Sequence, residues 1–307
     1  MHQVYTAIFE PGFFASAQVR VAVTIGAAVA VVCAVTGVFT VMRGQSFAGH
    51  ALGDVAAAGG SGALLAGLNP LTGFVGLSVV GAAVMDLIGV QRVRSRDLAT
   101  GVVLGAAIGL SALFLYLTSV TGATTGAVQQ VLFGSIFTTN SSTIPAVAIL
   151  GGIAVGALAL VCRPLLLSTV SPDVAVARGV PVRLVSLLYM LALAVSVGLS
   201  SLATGAILST ALLIGPAAAA LRLTKRVAWA MCIACLTGVL AVLLGVLLAY
   251  DSYYWGSGHN GLPVSFFIVS VVFVTYLASG LPALRADRRS EQPAGPATAA
   301  DHEKIAA

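Results

Sequence analysis

The chain has 307 residues, of which 59% are hydrophobic and only 8% charged, against about a quarter charged in ordinary soluble domains. Too little charge remains to dress a water-facing surface, a disordered chain would be far less apolar, and the net charge of +5 comes from basic residues too scattered to track nucleic-acid phosphates. An integral membrane protein is what the composition leaves.

A spanning helix needs about 20 mostly apolar residues. Nine segments qualify in chain order: 21–42, 47–67, 70–91, 98–119, 144–162, 184–203, 205–223, 227–250 and 263–283. The second is rich in Ala and Gly and contains His50 and Asp54, so eight spans is the alternative count. The expected fold is an all-α polytopic bundle. Residues 1–20 read as an interfacial segment, 21–284 as the membrane domain, and 285–307, charged and Pro/Ala-rich, as a disordered cytoplasmic tail. No cleavable signal is expected, because residues 1–19 lack Lys and Arg and the first apolar run is too long. The stretch 120–143 is polar around a short apolar centre, which predicts an interfacial or re-entrant segment.

Orientation follows from the positive charges. With the N-terminus outside and nine crossings, the C-terminus lies inside, and every one of the 15 basic residues except Arg20 falls on the inner side. The outer connections 68–70, 120–143, 203–205 and 250–262 carry no Lys or Arg. Gly101, Gly105 and Gly109, and again Gly152 and Gly156, follow the small-xxx-small spacing that lets helix backbones approach, and are expected to be packing seams. The four cysteines lie in or beside apolar runs, which argues against a disulfide framework.

An ionisable side chain inside a bilayer is costly and therefore a candidate functional site. His50 and Asp54 are four residues apart, on one face of a helix. An imidazole and a carboxylate together suit a divalent first-row metal ion, although a buried ion pair near the inner boundary would place them equally well. Asp86 lies six residues before Arg92 and reads as a local boundary pair. Cys232 and Cys235 form a C-x-x-C on an apolar helix with no further ligand nearby in sequence, and read as small core residues. His259 reads as a solvated loop histidine.

The inner segment SPDVAVARGVP predicts a short helix near 172–179. Ser171 suits the N-cap, Pro172 the first helical position, Asp173 the positive end of the dipole, and Gly179 the stop. Held between two spans on the positive side, it is a candidate docking element for a cytoplasmic partner. No G-x-x-x-x-G-K-[ST] occurs, so this polypeptide hydrolyses no nucleotide through a phosphate loop. No H-E-x-x-H or serine-hydrolase elbow is present either, and the chain reads as a non-enzyme.

Five segments in order carry a family likeness: GVFTVMRGQSFAGHALGDVAAAGG, RDLATGVVLGAAIGLSALFL, VLFGSI, SPDVAVARGVPV and TGAILSTALLIGPAAAALRL. From about Arg20 to about Leu284 the chain resembles the membrane subunits of ABC-type importers for zinc, manganese or iron ions. The resemblance implies a permease half in the cell membrane that pairs with a second half, expected to be identical. It also implies a metal received from an extracellular metal-binding protein, and separate cytoplasmic ATP-binding subunits. No permanently bound cofactor is implied, only the transported divalent ion. Asp173, Arg178 and Gly179 match the coupling segment, flanked by Ser171 and Pro172. The family's Asp and His fall on His50 and Asp54 with the two residue types exchanged. Two other readings remain at this point: a proton-coupled secondary transporter using His50–Asp54 as a relay, and a membrane scaffold or sensor.

Overall fold

The computed structural model describes residues 16–88, 93–122, 126–134, 136–252 and 262–290. Residues 1–15, Arg92, His259 and the tail beyond 290 lie outside the described residues, so the expectations placed on them are not addressed. Within them the chain is helical and contains no strand. Eleven α-helices follow one another: α1 (Ala17–Met42), α2 (Ser46–Leu65), α3 (Pro70–Leu87), α4 (Val93–Thr121), α5 (Ala127–Phe133), α6 (Ile144–Val170), α7 (Pro172–Ala177), α8 (Val182–Thr204), α9 (Ala206–Leu223), α10 (Val227–Ser252) and α11 (Val264–Ser290).

Among the described residues, seven helices are long and apolar enough to cross a membrane: α1, α3, α4 from Thr100, α6 with the short turn before it, α8, α9 and α10. In α11 the apolar stretch Val264–Gly280 is shorter. Helix α2 is missing from that set for a physical reason. It packs against α3, α4, α5, α8 and α9, and nearly all of it from Ala48 to Leu64 is buried. A helix sheathed by other helices needs small side chains more than greasy ones, so its composition is Gly and Ala.

Helices α1 and α8 form the centre of the bundle. The apolar window of α1 is 61% buried and that of α8 56%, against 22% for α4 and α6 at the periphery. Polar rungs cross this centre. Thr36 Oγ1 and Ser196 Oγ lie 2.7 Å apart, and the Tyr189 hydroxyl donates to Thr40 Oγ1 at 3.0 Å. In a low-dielectric interior each such group must find a partner, and here α1 and α8 satisfy one another.

Glycine seams occur where helices are enclosed, and not where spacing alone places them. Gly59 on α2 and Gly73 on α3 face each other so closely that a methyl on either would run into the other's carbonyl. Gly37 on α1 meets the Leu213 carbonyl of α9 in the same way. By contrast, a methyl on Gly101, Gly105, Gly109, Gly152 or Gly156 would meet nothing within 4 Å. Those expected seams contact no helix of this chain, because they lie on outward faces of peripheral helices.

The segment 120–143 contributes the short helix α5, bracketed by Gly126 and Gly134 at φ 81° and 86°. It turns inward, with Val131 fully buried. A methyl on Gly134 would run into the backbone of Ala203–Gly205, and one on Gly205 into the Leu132 carbonyl, so main chain meets main chain where the α8–α9 junction closes against α5.

Candidate functional site

His50 and Asp54 stand one turn apart on α2, as their spacing requires. His50 Nε2 and Asp54 Oδ2 are 3.9 Å apart, with the His50 side chain 49% and the Asp54 side chain 21% exposed. That separation is too long for a hydrogen bond. It is short enough for a single first-row ion to span with modest adjustment, since its bonds to nitrogen and oxygen are each about 2 Å. The other ring nitrogen is engaged as well: His50 Nδ1 lies 3.2 Å from Thr210 Oγ1 on α9. With Nδ1–H donating to that hydroxyl, the Nε2 lone pair is left facing Asp54, the arrangement a metal-binding imidazole needs.

The backbone next to the pair is glycine for a visible reason. A methyl on Gly53, beside Asp54, would come 3.0 Å from the Ser209 hydroxyl and 3.6 Å from the Ala206 carbonyl, so α9 lies close against α2 there. Thr210 also lines a groove between α9 and α11, with Ala211, Ile214, Gly215 and Tyr276. The half-exposed imidazole therefore sits at the edge of an apolar cleft, with a carboxylate and a hydroxyl beside it.

No group of three His, Cys, Asp or Glu side chains converges among the described residues. An ion at His50–Asp54 would complete its coordination with hydroxyl, water or groups from outside this chain. Cys232 is exposed and Cys235 half-buried, and they recruit no further ligand. Asp86 is half-buried at the end of α3. Thr210 was not singled out from sequence. The available signal was the Ser209–Thr210 pair in an apolar span, but its partner is 160 positions away in the chain.

Helix α7 occupies the place expected for the docking element. Ser171 is its N-cap and Asp173 lies in its first turn. The expected side-chain cap is not made: the Ser171 carbonyl accepts from the Ala175 amide at 3.1 Å, while its hydroxyl makes no capping bond. At φ −148°, ψ 94° Ser171 is extended, and Pro172 has no N–H to be capped, so the first turn needs less help. Arg178 closes the helix, and Gly179 takes φ +74°. Ala175 is buried against the bundle, while Pro172, Asp173, Arg178 and Gly179 are exposed, along with Val174 and Val176.

Comparison with known proteins decides the family. Residues 16–280 match the description of the ABC 3 transport family. The chain belongs to that family. It is 30% identical over 236 residues to the manganese transport system membrane protein MntC of Halalkalibacterium halodurans, covering 75% of this chain and 78% of that one. It is 26% identical over 240 residues to the high-affinity zinc uptake system membrane protein ZnuB of Haemophilus influenzae, covering 74% and 87%. Its fold is shared with the solved structure described as PsaBC from Streptococcus pneumoniae in complex with Fab, at a TM-score of 0.75, 20% identity and coverage of 91% and 95%. This ABC 3 chain is thus a multi-pass membrane permease component of an ABC-type metal transporter, the component distinct from the nucleotide-binding subunit. Membership speaks against the proton-coupled and scaffold readings.

Proposed function

We propose that this chain is the permease of an ATP-driven importer that moves a divalent transition metal (zinc, manganese or iron) into the cell by alternating access. His50 and Asp54 bind the ion transiently. A two-ligand site suits a way-station, because cargo held by a full protein coordination sphere is released slowly. The observation that carries the reading is this imidazole–carboxylate pair, 3.9 Å apart on a helix whose other residues are Gly, Ala, large apolar side chains and two serines.

In this reading the bundle crosses the cell membrane nine times, N-terminus outside and C-terminus inside, with α2 and α11 as spans. Helix α7, through Ser171, Pro172, Asp173, Arg178 and Gly179, docks on cytoplasmic ATP-binding subunits. An extracellular binding protein delivers the metal, and a second permease half, an identical copy, completes the path through the surrounding lipid. No cofactor is held permanently.

Uptake of zinc, manganese and iron, measured separately and in competition, tests the site in cells carrying the whole transporter. His50→Ala and Asp54→Ala are each expected to lower uptake by at least about tenfold, since even outer-shell changes at metal sites cost that much. Unchanged uptake at normal expression removes both residues from the mechanism.

A further inference from the structure

We propose that Arg43 is a positioning residue that carries movement of α7 to the base of α2, beneath His50 and Asp54. The proposal rests on the reading that α7 docks the ATP-binding subunits, and adds to it the route by which docking reaches the metal pair.

This residue joins several elements. Its backbone caps α1, and just Gly44 and Gln45 separate it from the first residue of α2. That turn is tight. Gly44 has φ +62°, the Gln45 amide donates to the Thr40 carbonyl at 2.9 Å, and the Gly49 amide, next to His50, donates back to the Gln45 carbonyl at 3.1 Å. The Arg43 guanidinium reaches the last turn of α6, with Nη1 3.4 Å from Ser168 Oγ and 3.5 Å from Thr169 Oγ1. It also lies over the ring of Tyr189 on α8, 5.0 Å from the centroid.

Helices α6 and α8 are the two mounts between which α7 is suspended. One guanidinium therefore touches the mount before α7 and the mount after it, while its own backbone forms the turn that starts the metal-bearing helix. The two sides differ in stiffness. Tyr189 is fully buried and anchored to Thr40, whose hydroxyl donates in turn to the Thr36 carbonyl at 2.9 Å. The bonds to Ser168 and Thr169 are longer than the usual 2.9–3.0 Å or so, and both hydroxyls also donate to the Leu165 carbonyl. The α8 contact is the fixed pivot, and the α6 contact is the one that breaks and re-forms when α7 is pushed. A displaced α6 terminus takes the guanidinium with it or releases it, and in either case the Arg43–Gln45 turn shifts under His50.

The test uses the transporter assembled with its ATP-binding subunits in lipid vesicles. Hydrogen exchange at amides 44–50 is compared with and without nucleotide, and metal uptake is measured per ATP hydrolysed. In the parent, nucleotide is expected to change exchange at 44–50. In Arg43→Gln that change disappears and uptake per ATP falls by about fivefold or more, the lower end of ordinary coupling between sites. Persistence of the exchange change, or uptake per ATP within about twofold of the parent, overturns the proposal. If Arg43→Gln does not assemble, the Ser168→Ala/Thr169→Val double variant, which leaves Arg43 in place, is judged by the same two outcomes. Failure of the transport site is read separately: His50→Ala and Asp54→Ala bear on metal movement, whereas nucleotide-dependent exchange at 44–50 needs no metal.

Discussion

The Thr210 hydroxyl lies against Nδ1 of His50 and leaves Nε2 toward Asp54. Valine at this position keeps the shape and removes the hydrogen bond, so the imidazole loses its orientation while both candidate ligands remain. Thr210→Val is expected to weaken apparent metal affinity by about tenfold and Thr210→Ser to restore it, read from the concentration dependence of uptake. An unchanged profile in Thr210→Val would mean that the 3.2 Å contact does not orient the ring. The residue scale also shows what sequence reading reaches. His50 and Asp54 were legible because helical geometry ties positions four apart, whatever the rest of the fold does. Thr210 was not, because its role exists only once α9 lies against α2, and no local pattern encodes that approach. The hydroxyl of Ser171 marks the opposite limit: a residue type that favours capping predicted a side-chain bond that Ser171 does not make.

At the level of whole helices, the glycines separate packing from spacing. Gly59 and Gly73 oppose each other at the α2–α3 crossing, where a neighbour's main chain occupies the space a side chain would need. Main chain cannot rotate out of the way as a side chain can, so Gly59→Ala is expected to destabilise the protein by about 1–3 kcal/mol. Gly105→Ala, on an open face of α4, is expected to change stability by no more than about 0.5 kcal/mol. Thermal unfolding of the two variants in the same detergent checks the contrast, and equal melting temperatures would refute the packing argument. The small-xxx-small rule found the α4 and α6 glycines because their spacing is regular. It passed over Gly37, Gly59 and Gly73 because those crossings involve single glycines paired across helices. Helix identities were recovered well by apolar run length, since that signal is local. Burial was not, since it depends on which helix ends up in the middle.

For the molecule as a whole, the proposed orientation makes a two-sided prediction. Helix α7 and the Ser141–Thr143 turn lie on opposite sides of α6, which runs the length of the bundle between them. In a variant with the four native cysteines replaced, a single cysteine at Val176 is expected to react with an impermeant reagent only from the cytoplasm. One at Asn140, also exposed, reacts only from outside. Labelling of the Val176 position from outside would remove α7 from the cytoplasmic face and with it the docking role, and labelling of Asn140 from the cytoplasm would overturn the crossing by α6. Charge asymmetry is the sequence feature behind this proposed orientation, because all the Arg and Lys of the chain except Arg20 fall on one side of a nine-span threading. The site inside the bundle was harder to place, because depth in a bundle is a property of the assembled helices.

The enclosure of α2 has a consequence for how the protein is made. A helix dominated by Gly and Ala, with an imidazole and a carboxylate in it, gains little by leaving water for hydrocarbon on its own. It is flanked in sequence by α1 and α3, both greasy enough to enter lipid unaided, and joined to them by turns of a few residues. The segment that carries His50 and Asp54 is thus a passenger during membrane insertion, drawn in by its neighbours and shielded by α8 and α9 only when the later half of the chain arrives.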